Sequence, residues 1–275
     1  MNLEFFVFIF FLGCIVGSFL NVVIDRLPAG QSIVYPPSHC PHCRHKLAFY
    51  DLVPLLSFFY LKGKCRYCKA KISRYYPLIE VVTGALFVLT TFIAGLDIYL
   101  LFIISSLMIV FFIDLKYGII PFKVVGITLV VTTVYYLFIN FSCITNTDGI
   151  ASPLRGLAMT NGCPTAIFNY LFSGIGVFVV FLSLFLVTRG RGIGFGDVVF
   201  SLLMGYVLGS PKIVLGVYIA FLTGAIISLI LVISRRKKFK GGVIPFGPFL
   251  VTGTVVSLFW GQIIIDRLVL YFHVY

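Results

Sequence analysis

The sequence predicts an all-α polytopic membrane protein of about eight transmembrane helices, with a small zinc-binding insertion after the first. Three observations carry that expectation. Of the 275 residues, 60% are hydrophobic and 11% are charged, whereas soluble domains are about 45–50% apolar and about 25% charged. Apolar stretches of roughly 20 residues, the length that crosses about 30 Å of hydrocarbon, recur along the chain. Between the first two of them, four cysteines stand as two CxxC pairs in the most basic part of the sequence. Disorder is excluded, because it requires low hydrophobicity and high charge.

The first stretch, Leu3–Ile24, has neither the basic flank nor the small-residue cleavage site of a removable signal. Pro77–Leu96, Ile98–Asp114, Val124–Phe141 and Ala166–Val187 follow, and Ile213–Ile233 and Val243–Ile265 lie toward the C-terminus. Val198–Gly209 is too short alone, but from Gly192 to Gly209 it reaches 18 residues with Asp197 as the single charge. Counting it gives eight spans and divides the chain into a first helix (1–24), a Cys-rich segment (25–76) and a membrane core (77–275).

Twenty-one Lys and Arg face nine Asp and Glu. In a soluble chain this excess would suggest nucleic acid. In a membrane protein it reports topology, since cytoplasmic loops collect Lys and Arg. With the Cys-rich segment in the cytoplasm, its bases join Lys116, Lys123, Arg189, Arg191 and the run Arg235, Arg236, Lys237, Lys238, Lys240. Eighteen bases then lie inside, and Arg155, Lys212 and Arg267 lie outside. Both termini and the Asn140–Thr165 loop fall on the outer side. The partner expected for the basic face is the anionic lipid surface, with no role for nucleic acid.

Cys40-Pro-His-Cys43 and Cys65-Arg-Tyr-Cys68 are separated by 21 residues. Each knuckle offers two thiolates for one edge of a tetrahedral Zn²⁺ site, and a reducing cytosol favours metal over disulfide. Four thiolates leave no open coordination position, so the expected role is structural. His39, His42 and His45 read as a solvated basic rim. Cys143 and Cys163 face the outer side, where a disulfide and two separate thiols are both open readings. Cys14, in an apolar run, reads as a small buried residue.

Two of the nine acids stand at the same membrane edge. Asp114 ends the run Ile98–Ile113, and Asp197 opens the sixth span behind glycines at 190, 192, 194 and 196. Ionisable groups in spans are costly and point to function. Two carboxylates at one depth share a proton, so one can activate water while the other hydrogen-bonds a carbonyl. The glycines remove side chains from the path of a peptide reaching Asp197. Taken alone, Asp114 reads equally as a helix-end residue paired with Lys116. Glu80, one turn into the second span, reads either as a partner of Arg74 or as a substrate contact.

Several stretches together carry a family resemblance: GSFLNVVIDRLP (17–28), the paired CxxC knuckles, LKGKCRYC (61–68) and ISRYYPLIEVVTG (72–84). FFIDLKYGIIP (111–121), GFGD (194–197) and IPFGPFL (244–250) complete the ordered set. The sequence resembles the type IV prepilin peptidases, or leader peptidase/N-methyltransferases, of the GxGD membrane aspartic proteases. That resemblance implies a multi-pass enzyme of the bacterial cytoplasmic membrane with its active site facing the cytoplasm. It implies cleavage of prepilin or pseudopilin leaders, then methylation of the new N-terminus from S-adenosylmethionine. By position, Asp114 and Asp197 match the catalytic dyad, with Gly194 and Gly196 in its loop. Gly63 and Lys64 match the methyl-transfer motif, and Glu80 matches a glutamate of the second span. Two positions depart from the pattern. Val199 stands where the family usually has lysine, and Phe122 where it usually has Asp or Asn.

Two other classes compete. A proton- or cation-coupled transporter would use Asp114, Asp197 and Glu80 as a relay, and predicts charges near mid-membrane. A scaffold whose zinc module docks a partner leaves the glycine-rich approach to Asp197 without a purpose.

Overall fold

The computed structural model describes residues 2–145, 163–233 and 245–273. Nine α-helices run through them: α1 (Leu3–Arg26), α2 (Leu56–Tyr60), α3 (Tyr75–Ala94), α4 (Ile98–Tyr117), α5 (Phe122–Thr145), α6 (Cys163–Thr188), α7 (Phe195–Leu208), α8 (Lys212–Ile233) and α9 (Gly247–His273). All but α2 and α7 are long and apolar enough to cross a membrane, which makes seven. The sixth expected span is α7, whose 14 residues rise about 21 Å at 1.5 Å each. It is shorter than the stretch counted in the sequence because Gly194 is extended, with ψ 149°, and caps the helix. Gly209, at φ +65°, ends it. The side chains of Cys143 and Cys163 lie outside those described, as does the basic run 235–240.

The chain forms two compact units, residues 1–109 and 110–275. In the first, α1 and α3 pack through glycine. A Cβ placed on Gly13 would fall 2.7 Å from the Gly84 Cα, and one on Gly17 would fall 2.9 Å from the Glu80 Cα. Small residues let membrane helices approach this closely, and the gain is van der Waals contact that apolar burial cannot supply in lipid. Cys14 is buried in the seam, with its Sγ 2.9 Å from where a Gly84 Cβ would stand. At the end next to the Cys-rich segment, polar groups close the pair. Asn21 Nδ2 donates to the Tyr76 carbonyl at 3.2 Å, and the Tyr76 hydroxyl donates to Asp25 Oδ2 at 2.9 Å.

In the second unit α7 is the element around which others pack: α5, α6, α8 and α9 all touch it. Asp197, Val198, Phe200, Leu203 and Met204 are buried, so this short helix presents little of itself to the surroundings. A Cβ on Gly205 would meet the Gly174 Cα at 2.7 Å, and Gly253 approaches the Gly216 carbonyl as closely. At the far end of α7 the Tyr136 hydroxyl donates to the Tyr206 carbonyl at 3.3 Å. α7 therefore enters its unit with one end fixed by tyrosine packing and the other carrying Asp197.

The α1–α3 seam gives a direct test. Gly84→Val adds branched carbon where Phe10 and Cys14 already stand at 2.9 Å. Overpacking of this kind costs about 1–3 kcal/mol. The midpoint of thermal unfolding in detergent is expected to fall, and an unchanged midpoint would contradict the packing described.

Candidate active site and metal centre

Asp114 is the seventeenth residue of the 20-residue α4 and is buried. Its Oδ2 accepts the Gly247 main-chain N–H at 2.9 Å, so the start of α9 is set directly on this carboxylate. The first-turn amides of a helix have no partner within the helix and favour negative charge. No side chain fits at that position, since a Cβ on Gly247 would lie 2.5 Å from Asp114 Oδ2. Pro248 follows, at a place where a missing N–H costs little.

Asp197, in the first turn of α7, is buried as well. Its Oδ2 accepts the Gly194 N–H at 3.1 Å, while its own N–H donates to the Gly194 carbonyl at 3.1 Å. The two bonds close the first turn on the carboxylate. Gly196 lies against the turn that follows α4, where its Cβ would come within 3.0 Å of the Ile120 Cβ. The missing side chain at Gly196 lets the start of α7 sit against the Ile120 side chain. The end of α4, the start of α7 and the start of α9 thus converge on two buried carboxylates.

Phe122 and Val199, the two positions expected to depart from the pattern, lie on α5 and α7. The Phe122 ring meets the Phe195 ring edge-on with centroids 6.1 Å apart, and Phe185 packs on Phe195 at 5.7 Å. An apolar contact therefore stands where the family usually has a polar residue. Val199 is half-buried in α7 and brings no charge to Asp197.

Glu80, the third buried acid among the described residues, belongs to the first unit. Its Oε2 accepts the Leu55 N–H at 2.9 Å, and Ser18 bonds to the same carboxylate. Neither expected role anticipates this partner; Arg74 is exposed. Leu55 caps α2 at φ +60° and ψ −52°, a sparsely populated positive-φ conformation costing on the order of 1–3 kcal/mol for a residue with a side chain. The carboxylate holds it there. Gly63 takes φ +68° with the Phe58 ring against it, and Lys64 is exposed beside it.

The four thiols of Cys40, Cys43, Cys65 and Cys68 lie within 4.8 Å of one another. The two knuckles are built alike. Arg44 N–H donates to the Cys40 carbonyl at 2.8 Å and Lys69 N–H to the Cys65 carbonyl at 3.0 Å, both donors at positive φ. His39 pairs with Lys46 as Lys64 pairs with Lys71. Zn–S bonds of about 2.3 Å at a tetrahedral centre separate two sulfurs by about 3.8 Å, and Cys40 and Cys68 Sγ stand 3.8 Å apart. The donor set fits a tetrahedral thiolate metal site. Burial acts to raise the Cys40 thiol, but the amides of Cys43 and His42 and the neighbouring thiols outweigh it and pull it down to about 6. The histidines remain on the rim, where His45 stacks on Tyr67 with centroids 3.7 Å apart.

The main-chain donors Gly247 and Leu55 are contacts to these carboxylates that residue types did not announce. The Pro-flanked glycine in IPFGPFL, at the opening of a span, was the signal for the first. Nothing in the sequence marks Leu55.

Comparison with known proteins identifies the family. Residues 11–94 match the model of the bacterial peptidase A24 N-terminal domain, and residues 101–229 match the type IV leader peptidase family. A prepilin leader peptidase/N-methyltransferase from Burkholderia pseudomallei (strain 1026b) is 32% identical, over 91% of this chain and 84% of its own length. Proteins of the same name from Bacillus subtilis (strain 168) and Pseudomonas aeruginosa are 30% and 29% identical. The alignments cover 94% of this chain and 95% of the first protein, and 91% and 89% for the second. No solved structure matches the chain.

Replacing Cys65 by Ser removes one of four thiolates. Metal analysis of the purified full chain is expected to find one zinc per protein in the parent and a large loss in Cys65→Ser. Stoichiometric iron, or equal metal in both, would contradict the assignment.

Proposed function

Since the chain belongs to the type IV leader peptidase family, we propose that it cleaves the leaders of prepilins or pseudopilins through Asp114 and Asp197. What supports this reading is that both carboxylates are buried and each is fixed by a main-chain N–H, with Gly196 beside Asp197 packed against Ile120 in the turn that follows the helix of Asp114. In the proposed step one carboxylate takes a proton from water as its oxygen attacks the scissile carbonyl carbon. The other, protonated, donates a hydrogen bond to the carbonyl oxygen. The C–N bond then breaks, the leader leaves with a new carboxylate, and the amine departs with a proton.

Burial excludes bulk water and strengthens these electrostatic interactions. Fixation by main-chain donors lowers the reorganisation needed as charge develops. On the topology read from the basic loops, both carboxylates act at the cytoplasmic edge of the inner membrane. The substrate's apolar stem lies in the bilayer and its leader outside it. Like charge on the enzyme's cytoplasmic loops cannot recruit a basic leader, so selection falls on the small residue at the cut and on the stem.

The relatives' names also support a second activity, methylation of the new N-terminus, with S-adenosylmethionine as methyl donor and Gly63 and Lys64 as the positions to test. Asp51, the only acid between Asp25 and Glu80, is engaged by Arg66 at 2.7 Å. The role proposed for Glu80 is to hold the Cys-rich segment on α3 through Leu55, rather than to touch substrate. The thiolates of Cys40, Cys43, Cys65 and Cys68 would hold zinc, which supplies a fixed cross-link between the knuckles.

The test is one reaction. Purified protein in lipid is incubated with a prepilin and S-adenosylmethionine, and the product's intact mass is measured. The expected product lacks the leader and carries one added methyl group. A prepilin of unchanged mass would overturn the peptidase reading. A Gly63→Leu, Lys64→Ala double variant is expected to cleave without methylating, and full methylation by it would remove those residues from the second activity.

A further inference from the structure

The Cys-rich segment has an outward surface that neither the dyad nor the metal centre uses. Phe49, Tyr60 and Phe59 are 82%, 77% and 71% exposed, well beyond what single scattered apolar residues require. The surface is continuous. Phe49 and Tyr50 pack edge-on at 5.3 Å, and Arg66 lies 4.8 Å from the Tyr50 ring centroid and 6.0 Å from that of Tyr60. Arg66 is in turn held by Asp51, which raises the guanidinium above its ordinary value. Leu56 and Phe59, on α2, extend the ridge. In the same Cys-rich segment Arg44, Lys46, Lys62, Lys69 and Lys71 are all exposed.

Where this surface sits is set by Glu80. The N–H of Leu55, immediately before α2, donates to the carboxylate of the sixth residue of α3. That residue lies about 7.5 Å along the helix from its first residue, at 1.5 Å per residue. A spanning helix enters hydrocarbon within its first turns, so α2 starts at the level of the bilayer surface. Aromatic side chains gather at that level, and Lys and Arg beside it meet anionic headgroups.

We propose that the ridge Phe49–Tyr50–Phe59–Tyr60, with its surrounding lysines, docks the Cys-rich segment onto the anionic lipid surface beside α1 and α3. The aromatic rings enter the interface while Arg44, Lys46, Lys62, Lys69 and Lys71 bind headgroup phosphates. The inference holds whatever chemistry Asp114 and Asp197 perform, because it depends only on the first unit lying in a bilayer. It gives the conformation at Leu55 a purpose, which is to hold α2 flat against the membrane beneath a rigid thiolate cluster.

The full chain tests this with a reporter. Trp260 is the single tryptophan, so Trp260→Phe with Phe59→Trp places one fluorophore on the ridge. It is reconstituted in phosphatidylcholine vesicles with or without phosphatidylglycerol, some carrying brominated acyl chains. In anionic vesicles the reporter is expected to be quenched by bromolipid and to lose several-fold in acrylamide quenching, an effect reduced by high salt. Exchanging Lys46, Lys62 and Lys69 for Gln is expected to abolish the difference between the two lipids. Equal acrylamide access in both lipids, or a shielded reporter indifferent to lipid charge and salt, would overturn the proposal. The second result would indicate a protein contact instead. Phe49→Trp repeats the measurement should the first reporter disturb folding, which the zinc content reports.

Discussion

A carboxylate taken into an apolar helical body must find donors, because water cannot follow it. Three acids are buried among the described residues, Glu80, Asp114 and Asp197, and each meets that constraint in the same way. The donor is a main-chain N–H at the start of a helix: Leu55 before α2, Gly247 opening α9 and Gly194 capping α7. Such amides have no partner within their own helix and carry the positive end of its dipole. One physical solution thus anchors the Cys-rich segment on α3 and, separately, fixes Asp114 on the start of α9 and Asp197 on the start of α7.

The solution explains the placement of glycine. A side chain at Gly247 would run into the Asp114 carboxylate, and one at Gly196 would press tightly on Ile120. In a membrane, close approach by small residues substitutes for the hydrophobic driving force between helices. It also places the carboxylates near helix ends, where free amides exist. Asp197 lies in the first turn of α7 and Asp114 in the last turn of α4. A mid-membrane relay would instead carry its charges at helix centres.

The sequence made the architecture legible where the physics is local or one-dimensional. Length of apolar run predicts α1, α3, α4, α5, α6, α8 and α9, because bilayer thickness sets that length. The CxxC spacing predicts the thiolate cluster, because two knuckles are self-contained turns. The run from Gly192 reads longer than the 14-residue α7 because hydropathy does not register that Gly194 is extended. The contacts to Gly247 and Leu55 were hidden for a different reason. Each couples a side chain to a main-chain amide far along the chain, and every non-proline residue carries that donor. Residue type therefore says nothing about which amide will be used. The partner of Glu80 in particular required the fold.

Whether Asp114 and Asp197 work as one hydrolytic unit is decided by the kinetics of three variants. Single-turnover cleavage of a prepilin in lipid is measured for Asp114→Asn, Asp197→Asn and the double variant. Residues acting as a unit are strongly non-additive. Each single substitution is expected to slow cleavage by about a thousandfold or more, and the double variant to be no slower than the worse single one. Near-parental cleavage by either single variant, or a double loss equal to the product of the two, would contradict it.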